Sequence, residues 1–473
     1  MATEALSHWF KLTPADTALS PAIYIDDHAI DYLAMSQRVD WLVQQLRKQS
    51  VGQGHRLALM SSSTSLHYLM THATAALGAT FYPLDPALPT AWQQALLNTA
   101  AVDYRVSCDS SFDINSDTSL FSVTALGQGG EVSEAQAAPA VMVATSGSSG
   151  EPKTVMLSSQ SVYNSALAVN QRVDLTTTDC WLNCLPLYHI GGLSIIYRTA
   201  LAGASMVLHQ GFDAGRVWRD IRQYQVSHLS LVPVMLAKLL AVADSAPPRH
   251  LRVVLVGGAA LDDDLAHRAL AAGWPLFLTY GMSETGSQVA TQALTTPAIN
   301  EPISLLAGVE CAVINAMGEP TGGIGRIRFR GKLLMQGYAN ASGVAGEGLD
   351  ADGWYTTGDL GCYEPEKGIQ VVGRADAVIV SGGNKIHPQA LEQLMSACPG
   401  VDEVCVLGVV DAEWGERVCA VYTGELDEPA LEHWCRQNLG TVQRPRLFVR
   451  VPQLPRLASG KLDRYLLRQQ YRR

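Results

Sequence analysis

The sequence has no long basic run, no CxxC pair and no apolar stretch of the roughly 18 residues that span a bilayer. At a net charge of −10, the missing basic run argues against nucleic-acid binding. Nine cysteines without CxxC spacing argue against a disulfide scaffold or a zinc knuckle and favour a reducing cytoplasm. The N-terminal residues lack the basic start and apolar core of a signal peptide. We therefore expect a cytoplasmic protein without a membrane span.

The chain does have a globular balance, with 47% hydrophobic and 16% charged residues over 473 positions. That length predicts more than one domain. Short apolar segments followed by small or glycine-rich turns recur, as in "HRLALMSS", "PAVMVATSG", "SHLSLVPVM" and "LRVVLVGGAAL". Helical patterns such as "DYLAMSQRVDWLVQQLRKQ" lie between them. Alternating strands and helices predict α/β layers with largely parallel sheets.

The sequence pattern changes towards the C-terminal end. Glycine-rich alternating pieces such as "GRIRFRG" predict an antiparallel β-rich subdomain, similar to a small barrel, over 310–373. Beyond it, strand, turn and helix patterns predict a small α+β domain over 377–473. We place the boundary of the large domain, 1–373, at residues 374–376. The segments 108–135 and 341–352 are expected to be polar loops.

One loop carries a dense set of hydroxyl groups. "TSGSSGEPKTV" runs from Thr145 to Val155, directly after a predicted strand. Backbone N–H groups of a glycine-rich turn can surround an anion, and Lys153 adds a positive charge. It is not a Walker A loop, because Pro152 stands where that loop has glycine before its lysine. The residues themselves leave two interpretations open, a phosphate-binding loop or a mobile surface linker.

Four further stretches accompany this loop: "YGMSETG" at 280–286, "WYTTGDLG" at 354–361, "GRADAVIVSGG" at 373–383 and "PRLASGKLDR" at 455–464. With these five stretches in order over residues 145–464, the chain resembles the adenylate-forming enzymes, which include acyl-CoA synthetases and peptide-synthetase adenylation domains. The resemblance implies a carboxylate that attacks the α-phosphorus of ATP, followed by a thiol that displaces AMP. It implies Mg²⁺, with ATP and CoA as co-substrates.

The resemblance also implies an ATP site, with the β- and γ-phosphates in the loop from Thr145 to Val155 and the ribose on Asp359. Its residues are Thr145, Ser146, Gly147, Ser148, Ser149, Gly150, Lys153, Gly257, Gly258, Ala259, Tyr280, Gly281, Ser283, Asp359 and Arg374. Tyr280 is expected to stack on adenine. The chain departs from the family at Thr154, where a glycine is usual beside the lysine, and at Asn384-Lys385.

Three residues are implied to act directly in the reaction: Lys461, His189 and Glu284. Lys461 would reach the α-phosphate, His189 would lie near the reacting carboxylate, and Glu284 would bind Mg²⁺. Asp376 resembles the hinge about which a mobile C-terminal domain rotates. Without the resemblance, Glu284 could be a helix N-terminal carboxylate, Asp359 a turn residue and Lys461 a surface lysine.

The acyl pocket is expected near residues 184–209, which contain no acidic residue, so an amino-acid substrate is disfavoured. Arg198, nine residues after His189, resembles the basic residue of the o-succinylbenzoate–CoA ligases of menaquinone biosynthesis. A buried cation there would bind the second carboxylate of o-succinylbenzoate. Alternatively, Arg198 forms a structural ion pair at a helix end, and the enzyme is another aryl- or acyl-CoA ligase. A different class of function also stays open, an adenylating enzyme that loads a carrier protein or a catalytically silent binding module, although Lys461, Glu284 and Asp359 argue against the silent module. The implied substrate-binding residues are Arg198, His189, Thr279, Gly281 and Ser287. The expected partners are small molecules, and a homo-oligomer stays open.

Overall fold

The computed structural model describes residues 19–108, 112, 114, 121–127, 139–145, 153–296, 301–340, 347–381, 384–411, 414–456 and 462–471. Within these residues the chain forms four β-sheets, and α-helices alternate with strands through most of the first 300 positions. The predicted α/β class is confirmed.

The strands are β1 (Pro21–Ile25), β2 (His28–Asp31), β3 (Arg56–Met60), β4 (Thr80–Leu84), β5 (Tyr104–Ser107), β6 (Ser122–Ala125), β7 (Val141–Thr145), β8 (Lys153–Leu157), β9 (Cys180–Asn183), β10 (Ser205–Leu208), β11 (His228–Leu231), β12 (Val253–Val256), β13 (Leu276–Met282), β14 (Ser287–Ala293), β15 (Val309–Ile314), β16 (Gly325–Gly331), β17 (Gly337–Tyr338), β18 (Tyr355–Glu364), β19 (Gly368–Arg374), β20 (Ile379–Ser381), β21 (Asn384–Ile386), β22 (Val401–Asp411), β23 (Gly415–Gly424) and β24 (Leu447–Arg450).

The helices are α1 (Tyr32–Lys48), α2 (Thr64–Leu77), α3 (Thr90–Thr99), α4 (Ser159–Val173), α5 (Ile190–Ala202), α6 (Ala214–Gln223), α7 (Pro233–Val242), α8 (Asp263–Ala271), α9 (Pro388–Ser396), α10 (Glu428–Asn438) and α11 (Arg464–Gln470). Among the described residues, none of these helices combines the length and apolar character needed to cross a bilayer.

Two large sheets form the body of the first 340 residues. One has eight strands in the order β14-β13-β12-β11-β9-β10-β1-β2, and the other has seven in the order β17-β8-β7-β4-β3-β5-β6. Their central pairs are parallel, whereas the pairs at their edges are antiparallel. Residues of both sheets and of the helices beside them share one buried apolar cluster. This layering matches the largely parallel arrangement that the sequence predicts.

Local sequence explains where the helices that matter to the site begin and end. Helix α4 starts at a capping box in which Ser158 and Ser161 exchange side-chain and backbone hydrogen bonds. Helix α5 ends at Gly203, whose φ of 67° lies in the left-handed region that glycine adopts without strain. The buried Asn183 side chain donates to the Gly192 carbonyl (2.9 Å) and so ties α5 to the end of β9.

Two smaller sheets follow. Strands β15, β16, β18 and β19 form an antiparallel sheet, as predicted for the β-rich segment, and β20 to β24 form a second sheet with its own buried cluster. The domain boundaries themselves stay predictions. One loop prediction was wrong: residues 122–125 of the segment 108–135 form β6, which pairs antiparallel with β5 at the edge of the seven-stranded sheet.

Candidate active site

Lys153 and Glu284 are connected through Tyr338. The Lys153 Nζ lies 4.9 Å from the centre of the Tyr338 ring, a cation–π contact. The Tyr338 hydroxyl donates a hydrogen bond to Glu284 Oε1 (2.8 Å). Burial, and then the charge of Glu284, raise the pKa of the Tyr338 hydroxyl, which keeps it a donor. The structure thus brings the predicted phosphate-binding lysine and the predicted Mg²⁺ ligand to either side of one tyrosine.

Strand pairing explains this arrangement. Tyr338 lies on the two-residue strand β17, which pairs antiparallel with β8, the strand that begins at Lys153. Glu284 lies in a 3-10 turn, Ser283–Thr285, directly after β13. The backbone N–H of Met335 donates to the Glu284 carbonyl (2.9 Å), which holds this turn against the segment leading into β17. Glu284 therefore stands in a turn, and its carboxylate faces a tyrosine rather than the turn's own backbone.

The two ends of the loop from Thr145 to Val155 are fixed in the seven-stranded sheet. Thr145 pairs with Lys153 across β7 and β8, and its hydroxyl donates to the Lys153 carbonyl (3.4 Å). Thr154 is fully buried, and its hydroxyl shares a hydrogen bond with that of Tyr82 (2.6 Å). The side chain that departs from the family pattern therefore packs inward. Ser146, Gly147, Ser148, Ser149 and Gly150 lie outside the described residues, as does Lys461.

Asp359 lies inside strand β18, so a role as a turn residue is wrong. Its Oδ2 accepts a hydrogen bond from the Tyr280 hydroxyl (2.5 Å), and its Oδ1 lies 3.4 Å from Arg374 Nη1. Burial, and then the Asp359 carboxylate, raise the pKa of the Tyr280 hydroxyl well above 10. The Tyr280 ring lies 6.1 Å from that of Phe329. These contacts group three of the predicted nucleotide residues in one place.

The Arg374 guanidinium also reaches Asp376. It lies over Gly358, where an added Cβ would come within 2.5 Å of Nη2 and would push the guanidinium aside. The hydrogen bond and positive charge of Arg374 lower the pKa of the Asp376 carboxyl. The residue predicted to assist at the ribose and the residue predicted as the hinge are therefore paired.

Glycines at 257 and 258 leave an open edge beside β13. An added Cβ at Gly257 would lie 2.5 Å from Thr279 Oγ1, so its closeness to Thr279 requires glycine. Gly258 has a φ of 79°, and together with Ala259 it is exposed. This edge has the accessible backbone that the predicted adenine contact needs.

Arg198 is fully buried on helix α5, with 1% of its surface exposed. Its Nη2 donates to Ser287 Oγ (3.0 Å), and within the described part of the chain its Nε has no hydrogen-bond partner. No carboxylate of the described residues pairs with Arg198, which argues against the alternative of a structural ion pair. Burial lowers the pKa of Arg198 to about 9, so the guanidinium stays protonated at neutral pH.

Ser287 is held in an unusual backbone conformation. Its φ is 120°, in a region that favours glycine, and its hydroxyl accepts hydrogen bonds from Arg198 and from Ser194 Oγ (3.3 Å). Its carbonyl oxygen comes so close to Gly281 that an added Cβ there would lie 1.8 Å away. Gly281 is therefore required by the path of the neighbouring strand.

A small apolar cavity lies between α4 and α5. It is lined by Val162, Ser165, Ala166, Ile190, Ser194, Tyr197 and Gly286. Ser194 connects its wall to Ser287 and so to Arg198. His189 is the residue before α5, next to the cavity residue Ile190, and its ring meets that of Tyr188 edge-on at 4.8 Å. Of the predicted substrate residues, Ser287 and Arg198 are therefore connected to this cavity through Ser194, and His189 directly precedes the helix that forms one of its walls.

Sequence reasoning missed three residues of this site: Tyr338, Ser194 and Trp181. The Arg198 guanidinium carbon lies 5.5 Å from the centre of the Trp181 ring. Tyr338 gave no signal because it acts through strand pairing with a distant segment, and Trp181 looks like any core aromatic. Residues 184–209 contain no Asp or Glu, and this could have indicated that a residue from elsewhere in the chain stabilises the charge of Arg198.

Two family models match the chain, one described as "AMP-binding enzyme" over residues 6–339 and one as "AMP-binding enzyme C-terminal domain" over residues 390–461. A relative from Bacillus licheniformis, named 2-succinylbenzoate–CoA ligase, is 35% identical over 341 residues, which are 69% of each chain.

Two solved structures of an o-succinylbenzoate CoA synthetase are also similar to this chain. The o-succinylbenzoate CoA synthetase from Bacillus subtilis in complex with its acyl-adenylate intermediate is 27% identical, with a TM-score of 0.85, and covers 98% of this chain and 97% of its own. The structure of that enzyme in complex with ATP and a magnesium ion is 25% identical, with a TM-score of 0.85, over 98% of this chain and 99% of its own.

Proposed function

Because the chain belongs to the AMP-binding enzyme family, we propose that it activates 2-succinylbenzoate (the same acid as o-succinylbenzoate) with ATP and transfers it to CoA. It is an acid–thiol ligase that forms AMP. One carboxylate of the acid attacks the α-phosphorus of ATP, and pyrophosphate leaves. The thiol of CoA then attacks the acyl carbon, and AMP leaves. The product is the CoA thioester that menaquinone biosynthesis uses.

The first step joins two anions, so the protein must neutralise charge and align the reactants. We assign the loop from Thr145 to Lys153 to the β- and γ-phosphates. Asp359 would accept the ribose hydroxyls, with Tyr280 and Arg374 holding its carboxylate in place. Gly257, Gly258 and Ala259 would border adenine, and Ser283 would lie near the α-phosphate.

Glu284 fits a Mg²⁺ ion that arrives with ATP. Its Oε1 accepts the hydrogen bond from the Tyr338 hydroxyl, which orients the carboxylate. No cluster of three or more His, Cys, Asp or Glu side chains suited to a metal occurs among the described residues. One carboxylate suits magnesium, which usually binds to one or two carboxylates and to substrate phosphates. When bound, the ion supplies positive charge to the phosphates.

Two further assignments concern the change between the half-reactions. Lys461 would stabilise the α-phosphate and the attacking carboxylate, and Asp376 would be the hinge at the start of the C-terminal domain.

All nine cysteines are free thiols, which supports a reducing compartment such as the cytoplasm as the place of action.

The choice of substrate depends on one observation, the buried guanidinium of Arg198, which has no carboxylate partner among the described residues. A buried cation costs free energy unless an anion reaches it. 2-Succinylbenzoate brings two carboxylates, of which only one reacts. We infer that the second one accepts charge-assisted hydrogen bonds from Arg198, with His189, Thr279, Gly281 and Ser287 around the acyl group.

The test compares two acids that differ by one carboxylate. CoA-thioester formation is measured for 2-succinylbenzoate and for 3-benzoylpropionate, which has the same chain and ring without the ring carboxylate. Wild type should prefer the diacid by at least about 100-fold in kcat/KM, since a buried hydrogen-bonding site rejects a ligand that leaves it unpaired. Arg198→Met should remove that preference.

Benzoate and a medium-chain fatty acid complete the set of substrates. A wild-type enzyme that prefers any monoacid would overturn the assignment of 2-succinylbenzoate and the role of Arg198, but not the ligase chemistry. Poor turnover with free CoA and fast turnover with an acyl-carrier protein would instead identify a carrier-loading enzyme.

A further inference from the structure

Trp181 lies behind Arg198 in the core of the eight-stranded sheet. The Arg198 guanidinium carbon stands over the indole ring at 5.5 Å from its centre, and both side chains are almost completely buried. The face of an indole ring carries partial negative charge, which attracts a cation most strongly where water is excluded. Trp181 therefore provides part of the stabilisation that a protein carboxylate would otherwise give.

An aromatic face and a carboxylate differ in one respect that matters here. A carboxylate would occupy N–H groups in the plane of the guanidinium, whereas a ring stabilises the charge without accepting those hydrogen bonds. Within the described part of the chain, Arg198 Nε has no partner and Nη2 donates to the neutral hydroxyl of Ser287. The contact with Trp181 thus keeps donors available for an incoming carboxylate.

Trp181 is itself fixed in place. Its Nε1 donates to Ser230 Oγ (3.2 Å), and its ring packs at 5.2 Å from that of His228, its partner on the neighbouring strand. The two ring nitrogens of His228 are held by Ser227 Oγ (2.8 Å) and the Val173 carbonyl (3.1 Å). Burial lowers the pKa of His228, so a neutral imidazole backs the indole and adds no second positive charge.

We propose that Trp181 is a specificity-determining positioning residue, which holds the Arg198 guanidinium as a preformed receptor for the second carboxylate of an aryl dicarboxylic acid. This inference rests on the proposed function, because it concerns the same acyl site. It predicts that Trp181 affects the choice between diacid and monoacid more than it affects the reaction itself.

The experiment uses the full chain and the two acids defined above, 2-succinylbenzoate and 3-benzoylpropionate. Trp181→Phe keeps a weaker ring face, and Trp181→Leu removes it. The ratio of the two kcat/KM values should fall roughly tenfold in Trp181→Leu and by a smaller factor in Trp181→Phe. The loss should appear in the KM for the diacid more than in its kcat. Trp274→Leu serves as a matched control, since Trp274 is a buried tryptophan that packs on Trp218 at 5.8 Å.

A structural role alone would lower kcat/KM for both acids together and leave their ratio as in wild type, as expected for Trp274→Leu. A diacid preference that survives unchanged in both Trp181 variants overturns the role of Trp181 alone. A wild type without the preference overturns the proposed substrate instead. If Trp181→Leu does not fold, the ratio in Trp181→Phe decides, because the cation–π attraction weakens from tryptophan to phenylalanine.

Discussion

The guanidinium of Arg374 forms two hydrogen bonds to the carboxylate of Asp376, from Nε (3.0 Å) and from Nη2 (2.8 Å). Its remaining nitrogen, Nη1, faces Asp359. One planar cation thus connects the proposed ribose acceptor to the proposed hinge. The arrangement requires the fork of donors that arginine has and lysine lacks.

Arg374→Lys should therefore weaken ATP binding while it changes stability little. A point charge cannot serve both carboxylates, so we expect the KM for ATP to rise about tenfold, a loss of roughly 1.4 kcal/mol. The pair is partly exposed, so the free energy of unfolding should change by less than about 1 kcal/mol. Arg330→Lys, which alters an exposed pair with Glu310 on the same sheet, is the control. An unchanged KM for ATP in Arg374→Lys would contradict the role.

Arg198→Met should stabilise the protein and remove its preference for the diacid. The substitution introduces an apolar side chain of similar length and removes a buried charge that has no carboxylate partner in the described part of the chain. The free energy of unfolding should therefore rise by about 1–3 kcal/mol. Urea unfolding of the free enzyme measures this change. Arg172→Met is the matched contrast. Arg172 donates to the carbonyls of Thr291 (2.5 Å) and Leu305 (2.6 Å), and its loss should destabilise the chain. A destabilised Arg198→Met would mean that Arg198 is structural.

Tyr338→Phe separates the two contacts of Tyr338. The ring stays beneath Lys153, but Glu284 loses its hydroxyl donor. We expect the Mg²⁺ concentration for half-maximal ATP binding, measured by calorimetry, to rise about tenfold, because partners that orient a metal ligand affect metal affinity. Tyr104→Phe removes a comparable hydrogen bond, to the Ser50 carbonyl at 3.2 Å, and should leave Mg²⁺ dependence unchanged. Equal Mg²⁺ dependence in both variants would remove Tyr338 from the site.

Ser287→Gly and Ser287→Ala both remove the hydroxyl that Arg198 donates to. Only glycine relieves the backbone at a φ of 120°. Ser287→Gly should therefore be more stable than Ser287→Ala by about 1 kcal/mol, while both show the same reduced preference for the diacid. Thermal unfolding and the two-acid assay measure the two effects. Equal stability of the variants would show that the backbone at this position is unstrained.

Two buried histidines of α2 should make the folded protein less stable at acidic pH. Burial lowers the pKa of His67 to about 4 and that of His72 to about 3, below the ordinary value of 6.5. The unfolded chain therefore binds protons below pH 6.5 that the folded chain does not. The free energy of unfolding should fall as the pH drops from 6.5 towards 4, by about 1 kcal/mol per pH unit for each histidine. His72→Phe should reduce this slope, whereas His28→Gln, an exposed hairpin residue, should leave it unchanged. Equal slopes would contradict the assignment.

Much of the fold followed from local patterns. The segments "HRLALMSS" and "LRVVLVGGAAL" contain strands β3 and β12, because a buried strand reads as a short apolar run before a turn. Strand β6 escaped notice because it has only four residues, which are mostly exposed at a sheet edge and lie within a polar segment.

The site was less accessible to sequence reasoning. Glu284, Asp359 and Arg374 lie in motifs whose chemistry can be read locally, and the structure brings Asp359 and Arg374 within hydrogen-bonding distance. Tyr338 comes to Glu284 through strand pairing between segments far apart in the chain. Local periodicity contains no information on such pairing. Whether Arg198 had an acidic neighbour likewise depended on the packing of α5 against β14.

The buried charge of Arg198 has a consequence for the free enzyme. A bound diacid would supply a counter-ion to the Arg198 guanidinium, so its binding would raise the free energy of unfolding. The chain without this acid then unfolds more often and meets proteases more often than the occupied chain. The amount of enzyme in a cell would thus follow the supply of its own substrate, without any separate regulator.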